Sequence, residues 1–217
     1  MHPDSGNIIL FDFCETLVNI QTADRFIEYV LNRQNSKKIF IYRFYKSRFY
    51  TILYKIGLVR SAKLKILYLL KGMREEYLRL LAKEYADFLV AEHHNVGICQ
   101  ILNREYENGN EVVIISGGYD IYLNYYQPDK VKKVISSSLK FCDGVFSGGL
   151  CGLDCLGHNK VKLMVENFGS DIFDNRRVSF YTDHKSDIPL LDLVDEPYVV
   201  KTSRDCQWAS EKGYKII

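Results

Sequence analysis

The sequence predicts an α/β protein: a Rossmann-like three-layer core on a parallel sheet, carrying an inserted all-helical cap. Three observations predict it. Apolar, β-branched runs alternate with helical segments through the second half of the chain, and strands separated by helices pair in parallel with both faces covered. The helical pattern between the first strand and the second far exceeds the dozen or so residues that a crossover needs. A chain of 217 residues, 47% hydrophobic and 26% charged, also has the material for one substantial core, so disorder is not expected.

Each element follows from local pattern. Residues 7–13 are mostly apolar with an abrupt polar end, as in a buried parallel strand. Thr22 is placed to cap a helix whose apolar face is Phe26, Ile27, Val30 and Leu31. Residues 74–93 carry Leu78, Leu81, Tyr85, Phe88 and Leu89 at helical spacing, and a helix over 98–108 ends at Gly109. Residues 112–115 predict a strand ending in a Ser116-Gly117-Gly118 turn. Residues 131–136 predict another strand, and 139–153 a hairpin with turns at Asp143-Gly144 and Gly148-Gly149. A helix over 160–168, a strand over 178–182, a short helix over 188–194, a strand over 198–201 and a helix over 207–212 complete the chain. Residues 1–20 and 106–217 thus form the core domain, and residues 21–105 the cap.

The formal net charge of +2 hides an asymmetry. From Lys37 to Arg74 the chain carries Lys37, Lys38, Arg43, Lys46, Arg48, Lys55, Arg60, Lys63, Lys65, Lys71 and Arg74 with no Asp or Glu, so the remainder is net acidic. The polar start Met1 to Gly6 does not read as a signal peptide, so none is expected, and no window approaches the roughly 20 apolar residues that span a bilayer. Six cysteines (Cys14, Cys99, Cys142, Cys151, Cys155, Cys206) lack the dense spacing of a secreted disulfide scaffold, which makes the cytoplasm the expected location. Cys151 and Cys155 have the spacing of a metal half-site, but no second pair completes it.

In an open parallel sheet, ligands bind outside the carboxyl ends of the strands. Those ends carry Asp12 to Thr16, Ser116 to Gly118, and Asp183 with Asp187 a turn later, while Lys160 begins a helix. Asp12 and Asp183 are hard oxygen donors suited to Mg²⁺. Ser116 and a Gly-rich backbone suit phosphate oxygens, Lys160 adds a compact positive charge, and Asp12 is placed to attack phosphorus. Each has a bland alternative as a turn, cap or surface residue; their coincidence in order at strand ends does not.

With these residues in view, Phe11-Asp12-Phe13-Cys14-Glu15-Thr16-Leu17 resembles the first motif, Asp-x-Asp-Gly-Thr-Leu, of the haloacid dehalogenase superfamily. Residues 113–118 are similar to its second motif, Cys155-Leu156-Gly157-His158-Asn159-Lys160 to its third, and residues 181–191 to its fourth. The Pro189-Leu190-Leu191 run looks most like the phosphoserine-phosphatase-like branch, which carries a helical cap between the first and second motifs. The resemblance covers essentially the whole chain. It implies Asp12 as nucleophile and Mg²⁺ ligand, the Cys14 carbonyl and Asp183 as further ligands, and Asp187 orienting metal-bound water. It also implies that Thr16, Ser116 and Lys160 bind the phosphoryl group of a small phosphorylated substrate, with Gly117 allowing close backbone approach.

The pattern breaks at Cys14 and Glu15, where the family has Asp and Gly. In the phosphatases that Asp protonates the leaving oxygen and then activates water, help worth about 10²–10⁴-fold. A thiol of pKa about 8.5 donates a proton but suits the return step poorly. Three readings follow: Glu15 substitutes as acid/base, the enzyme is slow or takes a substrate with a good leaving group, or turnover is lost and phosphate recognition kept. The cap run from Ile39 to Lys46, with Phe49, Tyr50 and Tyr54, mixes rings and positive charge. It reads either as a core-facing aromatic stripe with a solvated basic face, or as a surface for acidic or lipid-linked phosphates or an anionic membrane. No nucleic-acid motif is present, so no such partner is expected.

Overall fold

The computed structural model describes residues 6–59, 61–202 and 205–217; Met1 to Ser5 of the polar start and Arg60 of the basic run lie outside the described residues. The chain enters the sheet at β1 (Ile8–Phe11) and then runs through six helices: α1 (Thr22–Arg33), α2 (Ile39–Tyr45), α3 (Arg48–Lys55), α4 (Lys63–Tyr68), α5 (Glu75–Glu92) and α6 (Val96–Glu107). It returns as β2 (Glu111–Tyr119), the single turn α7 (Asp120–Leu123), β3 (Lys133–Cys142) and β4 (Val145–Cys151). The rest alternates: α8 (His158–Phe168), α9 (Ile172–Asn175), β5 (Val178–Thr182), a 3₁₀ turn (Lys185–Asp187), α10 (Ile188–Leu191), β6 (Glu196–Val199), α11 (Gln207–Glu211) and β7 (Lys215–Ile216).

Among the described residues seven strands form one sheet in the order β4-β3-β2-β1-β5-β6-β7, parallel except for the β3–β4 hairpin. Period-two alternation divides the core. Ile9, Phe11, Val112 and Ile114 face one layer with α1 and α4 to α7, while Ile8, Leu10, Val113, Ile115, Val178 and Phe180 face another with α8 to α11. Each such buried aliphatic or aromatic side chain contributes about 1.5–3 kcal/mol relative to exposure. The three-layer α/β expectation is met. The boundary drawn at residue 105 falls inside α6, whose Ile98, Cys99 and Leu102 pack in the same cluster as Val112 and Ile114.

Several segments fold differently from their local sequence pattern. Thr22 is not the cap of α1: Gln21 precedes the helix without a side-chain cap bond, and the Thr22 hydroxyl points inward to other partners. Ser116-Gly117-Gly118 is not a turn but an irregularity within β2, whose pairing to β3 shifts register between Ser116 and Tyr119. The strand expected over 131–136 and the first arm of the hairpin are one continuous β3. Asp143-Gly144, both with positive φ, makes the hairpin turn. Gly148-Gly149 makes none; Ser147 to Gly149 bulge opposite Lys140 within β4.

That bulge is where the insert leans on the sheet. Gly148 has φ +95°, and a Cβ there would meet Tyr68 Cδ2 at 2.8 Å and Lys71 Cβ at 3.1 Å. The backbone of Gly72 and Met73 bonds to Phe146 beside it. Gly148→Ala is therefore expected to destabilise the protein by about 1–2 kcal/mol, read as a lower urea midpoint at unchanged m value. A midpoint equal to wild type would remove this contact from the account.

Candidate active site

β1 and β5 run side by side in register, Phe11 opposite Tyr181, so both release the chain at the same sheet edge. Asp12 follows β1, its N–H donating to Tyr181 O at 2.8 Å, and Asp183 follows β5. The Ser116 irregularity of β2 lies on the other flank of β1, and the strand order reverses between β1 and β5. Together with α8 and the helices α2 to α4, these ends surround a cavity of about 580 Å³. Asp12, Cys14, Ser116, Gly117, Lys160, Asp183 and Asp187 all line it.

Lys160 is the centre of its charge. Only 1% exposed, it donates to Asp12 Oδ1 at 3.0 Å and to Asp187 Oδ2 at 2.6 Å, and Thr182 Oγ1 donates to the same Asp187 oxygen at 2.7 Å. Burial alone would lower the Lys160 pKa, but the two carboxylates reverse that and hold the ammonium well above its ordinary value. Burial raises the Asp12 carboxyl above its ordinary value, Lys160 opposing this and Asp187 adding to it. Lys160 thus sits between two buried carboxylates, Asp12 and Asp187, and a third, Asp183, lines the same cavity. Among the described residues no three His, Cys, Asp or Glu side chains converge as a ready-made metal cluster. The donor set fits Mg²⁺, which takes one or two carboxylates and keeps several waters.

The departing residues separate cleanly. Cys14 Sγ lies on the cavity wall, 3.0 Å from Thr22 Oγ1, which is 2.7 Å from Tyr122 Oη; Tyr85 Oη donates to the Thr22 carbonyl. Burial, reinforced by Asp12, pushes the Cys14 thiol up to about 11, so it stays protonated at neutral pH. Glu15 adopts φ +56°, and its carboxylate accepts from Gln21 Nε2 rather than lining the cavity. Thr16, expected at the phosphate, also lies off the wall. Phe13 O accepts from the N–H groups of Thr16, Leu17 and Val18, and that tight turn tucks the Thr16 hydroxyl inward, without a partner among the described residues.

Gly117 has a packing reason as well: a Cβ there would meet Leu156 Cδ2 at 2.3 Å. Its carbonyl accepts from Lys63 Nζ at 3.2 Å, and Lys63 also pairs with Asp154 at 2.5 Å, which joins α4 to the site. Nothing in the sequence marked Lys63, Thr182 or the cavity-lining His184 as a site residue, and Thr22 carried only a helix-cap signal. The nearest to a signal was the Thr182 hydroxyl just before a strand-end Asp; Lys63 had none within its basic run.

Comparison with known proteins follows the same lines. A family model described as haloacid dehalogenase-like hydrolase matches residues 9–192. A histidinol-phosphatase from Neisseria meningitidis serogroup C (strain 8013) is 22% identical over 228 residues, covering 97% of this chain and 98% of its own. A protein of unknown function from Bordetella pertussis Tohama I has a similar structure, with TM-score 0.84 at 16% identity and 98% of each chain covered. A phospho-aspartyl intermediate analogue of phosphoserine phosphatase superposes with TM-score 0.61 at 20% identity, covering 98% of this chain and 92% of that one. The last two likenesses show a shared fold.

Lys160→Met leaves Asp12 and Asp187 buried without their counter-charge and is expected to cost about 3–5 kcal/mol near neutral pH. The Asp12 carboxyl, already raised by burial, would lose the ammonium that opposes that rise, so the folded state binds its proton before the unfolded one and stability recovers as pH falls toward the ordinary Asp value of about 3.9. Urea midpoints across the acid-to-neutral range check this; a loss independent of pH would contradict the charge argument.

Proposed function

The chain belongs to the haloacid dehalogenase-like hydrolase family, and from that premise we propose that it is a Mg²⁺-dependent phosphohydrolase acting through an aspartyl-phosphate on Asp12. The substrate is a small phosphate monoester. The observation that carries this reading is the single cavity on which Asp12, Ser116, Gly117, Lys160 and Asp183 converge. An Asp12 oxygen attacks phosphorus, and the leaving oxygen departs from the opposite side. Lys160 and Ser116, with the backbone around Gly117, hold the phosphoryl oxygens, while Asp187 and Thr182 keep Lys160 aimed. Asp12, Asp183 and the Cys14 carbonyl would hold Mg²⁺, which when bound supplies positive charge against the phosphate oxygens. The names of the histidinol-phosphatase and phosphoserine phosphatase relatives support a small phosphorylated metabolite. Six unpaired cysteines support a cytoplasmic setting.

The helices between β1 and β2 within residues 21–105 serve as the cap, since Tyr45, Lys46, Tyr50, Tyr54 and Lys63 contribute to the cavity wall. Cys14 stands in the acid/base position as a neutral thiol whose raised pKa makes it a weak proton donor and leaves no thiolate to act as a base at neutral pH. Glu15 is turned to Gln21 and does not replace it. The geometry therefore favours a substrate whose leaving group needs no protonation. A phosphate-binding protein without turnover is the competing reading, and the same thiol is what favours it.

Turnover of nitrophenyl phosphate with Mg²⁺ tests both. Asp12→Asn is expected to abolish it, and chelation of the metal should do so reversibly. Cys14→Asp should raise kcat on alkyl phosphates by about 10²–10⁴-fold and much less on aryl phosphates, whose leaving groups need no acid. Absence of Asp12-dependent turnover across a broad panel would establish the binding-protein reading instead. Glu15→Gly is expected to keep kcat and to stabilise the fold by about 1 kcal/mol, because glycine occupies the left-handed backbone without penalty. A collapse of kcat in Glu15→Gly would make Glu15 the acid/base after all.

A further inference from the structure

The outward faces of α2 and α3 are unusual for a surface. Phe40, Ile41 and Phe44 on α2, Phe49 and Ile52 on α3, and Ile56 and Leu58 just beyond are all between 47% and 70% exposed. The same helices bury Tyr42 and Tyr50 toward the body, so the exposed rings and aliphatic chains make a second apolar face and not a poorly packed first one. Phe49, Ile52 and Ile56 recur at i, i+3 and i+7, a stripe along one side of the helix. Large apolar side chains exposed together on two consecutive helices mark an interaction surface.

Charge identifies the partner. Not one acidic residue occurs between Lys37 and Arg74. Lys46 is paired with Asp24, Lys63 with Asp154, and Lys38 donates to the Leu69 carbonyl. Lys37, Arg43, Arg48 and Lys55, by contrast, are exposed and form no ion pair among the described residues, and they interleave with the apolar side chains. We propose that the outer face of α2 and α3 docks on an anionic lipid bilayer. Apolar side chains enter the headgroup–acyl boundary while the four cations meet lipid phosphates. Among the described residues no helix is long and apolar enough to cross a membrane, so the contact is peripheral. α2 and α3 also give Tyr45, Tyr50 and Tyr54 to the cavity wall, and Tyr54 is itself half exposed, so docking holds the cavity rim beside the headgroups. This goes beyond the hydrolase reading and stands without it.

Sedimentation of the full chain with phosphatidylcholine vesicles, with and without an equal part of phosphatidylglycerol, tests the proposal. Wild type is expected to pellet with the anionic vesicles alone, and less at high salt. Phe49→Ser with Ile52→Ser, and separately Arg43→Gln with Arg48→Gln and Lys55→Gln, should each weaken binding by at least about tenfold. None of these residues lines the cavity, so unchanged thermal melts and unchanged nitrophenyl phosphate turnover report an intact fold. No pelleting at low salt, or serine variants that bind as wild type does, overturns the proposal. So does a dimer in sedimentation velocity that the serine variant dissolves while vesicles bind neither form, which would assign the face to a second copy of this chain.

Discussion

Lys160 carries its charge with almost no access to water, and the site is organised around keeping that charge satisfied. Stripping an ammonium of water costs several kcal/mol unless its protons all find acceptors. Here the acceptors come from distant parts of the chain: Asp12 from the end of β1 and Asp187 from the turn after β5. Satisfying Lys160 therefore requires α8, β1 and β5 to meet at one sheet edge. The parallel register of β1 and β5 does so, because both strands release the chain at the same level. Thr182, the last residue of β5, then bonds Asp187 and fixes which oxygen faces the ammonium.

A second arrangement ties the inserted helices to the same edge. Tyr122 of α7 lies against Phe26 of α1 and Tyr85 of α5, with ring centroids 5.2 and 5.4 Å apart. Its hydroxyl meets Thr22, whose other neighbour is Cys14 on the cavity wall. The thiol is thus built into the packing between cap helices and core, in a place that burial makes hostile to a charged group. A carboxylate at position 14 would face that same desolvation, while a neutral thiol suits it without a counter-charge.

The strand-end residues were legible in the sequence because a parallel strand has one short apolar run and one abrupt polar exit. Asp12 and Asp183 stand at such exits, and order along the chain was enough to group them with Ser116 and Lys160. Side-chain direction was not legible. Thr16 and Glu15 belong to the same motif as Asp12, yet the turn around the Phe13 carbonyl folds one inward and sends the other to Gln21. The glycine pairs misled for a related reason. Gly117 is crowded by Leu156, and Gly148, already held at φ +95°, by Tyr68, neighbours far away in sequence that no local pattern displays.

What the sequence determined by itself was the alternation of strands and helices, the long helical insertion, and the residues standing at strand exits. Those are properties of local periodicity and chain order. Only the tertiary structure decided that Lys160 sits between two carboxylates, that Cys14 bonds Thr22, and that Lys63 reaches Gly117 from the cap. It also divided the basic run, turning Lys46 and Lys63 to the cavity and leaving Arg43, Arg48 and Lys55 on an apolar outer face. A side chain's partner depends on the rotation of its helix and on what packs against it. Those follow from burying the whole core at once, and charge or hydropathy along the chain does not encode them separately.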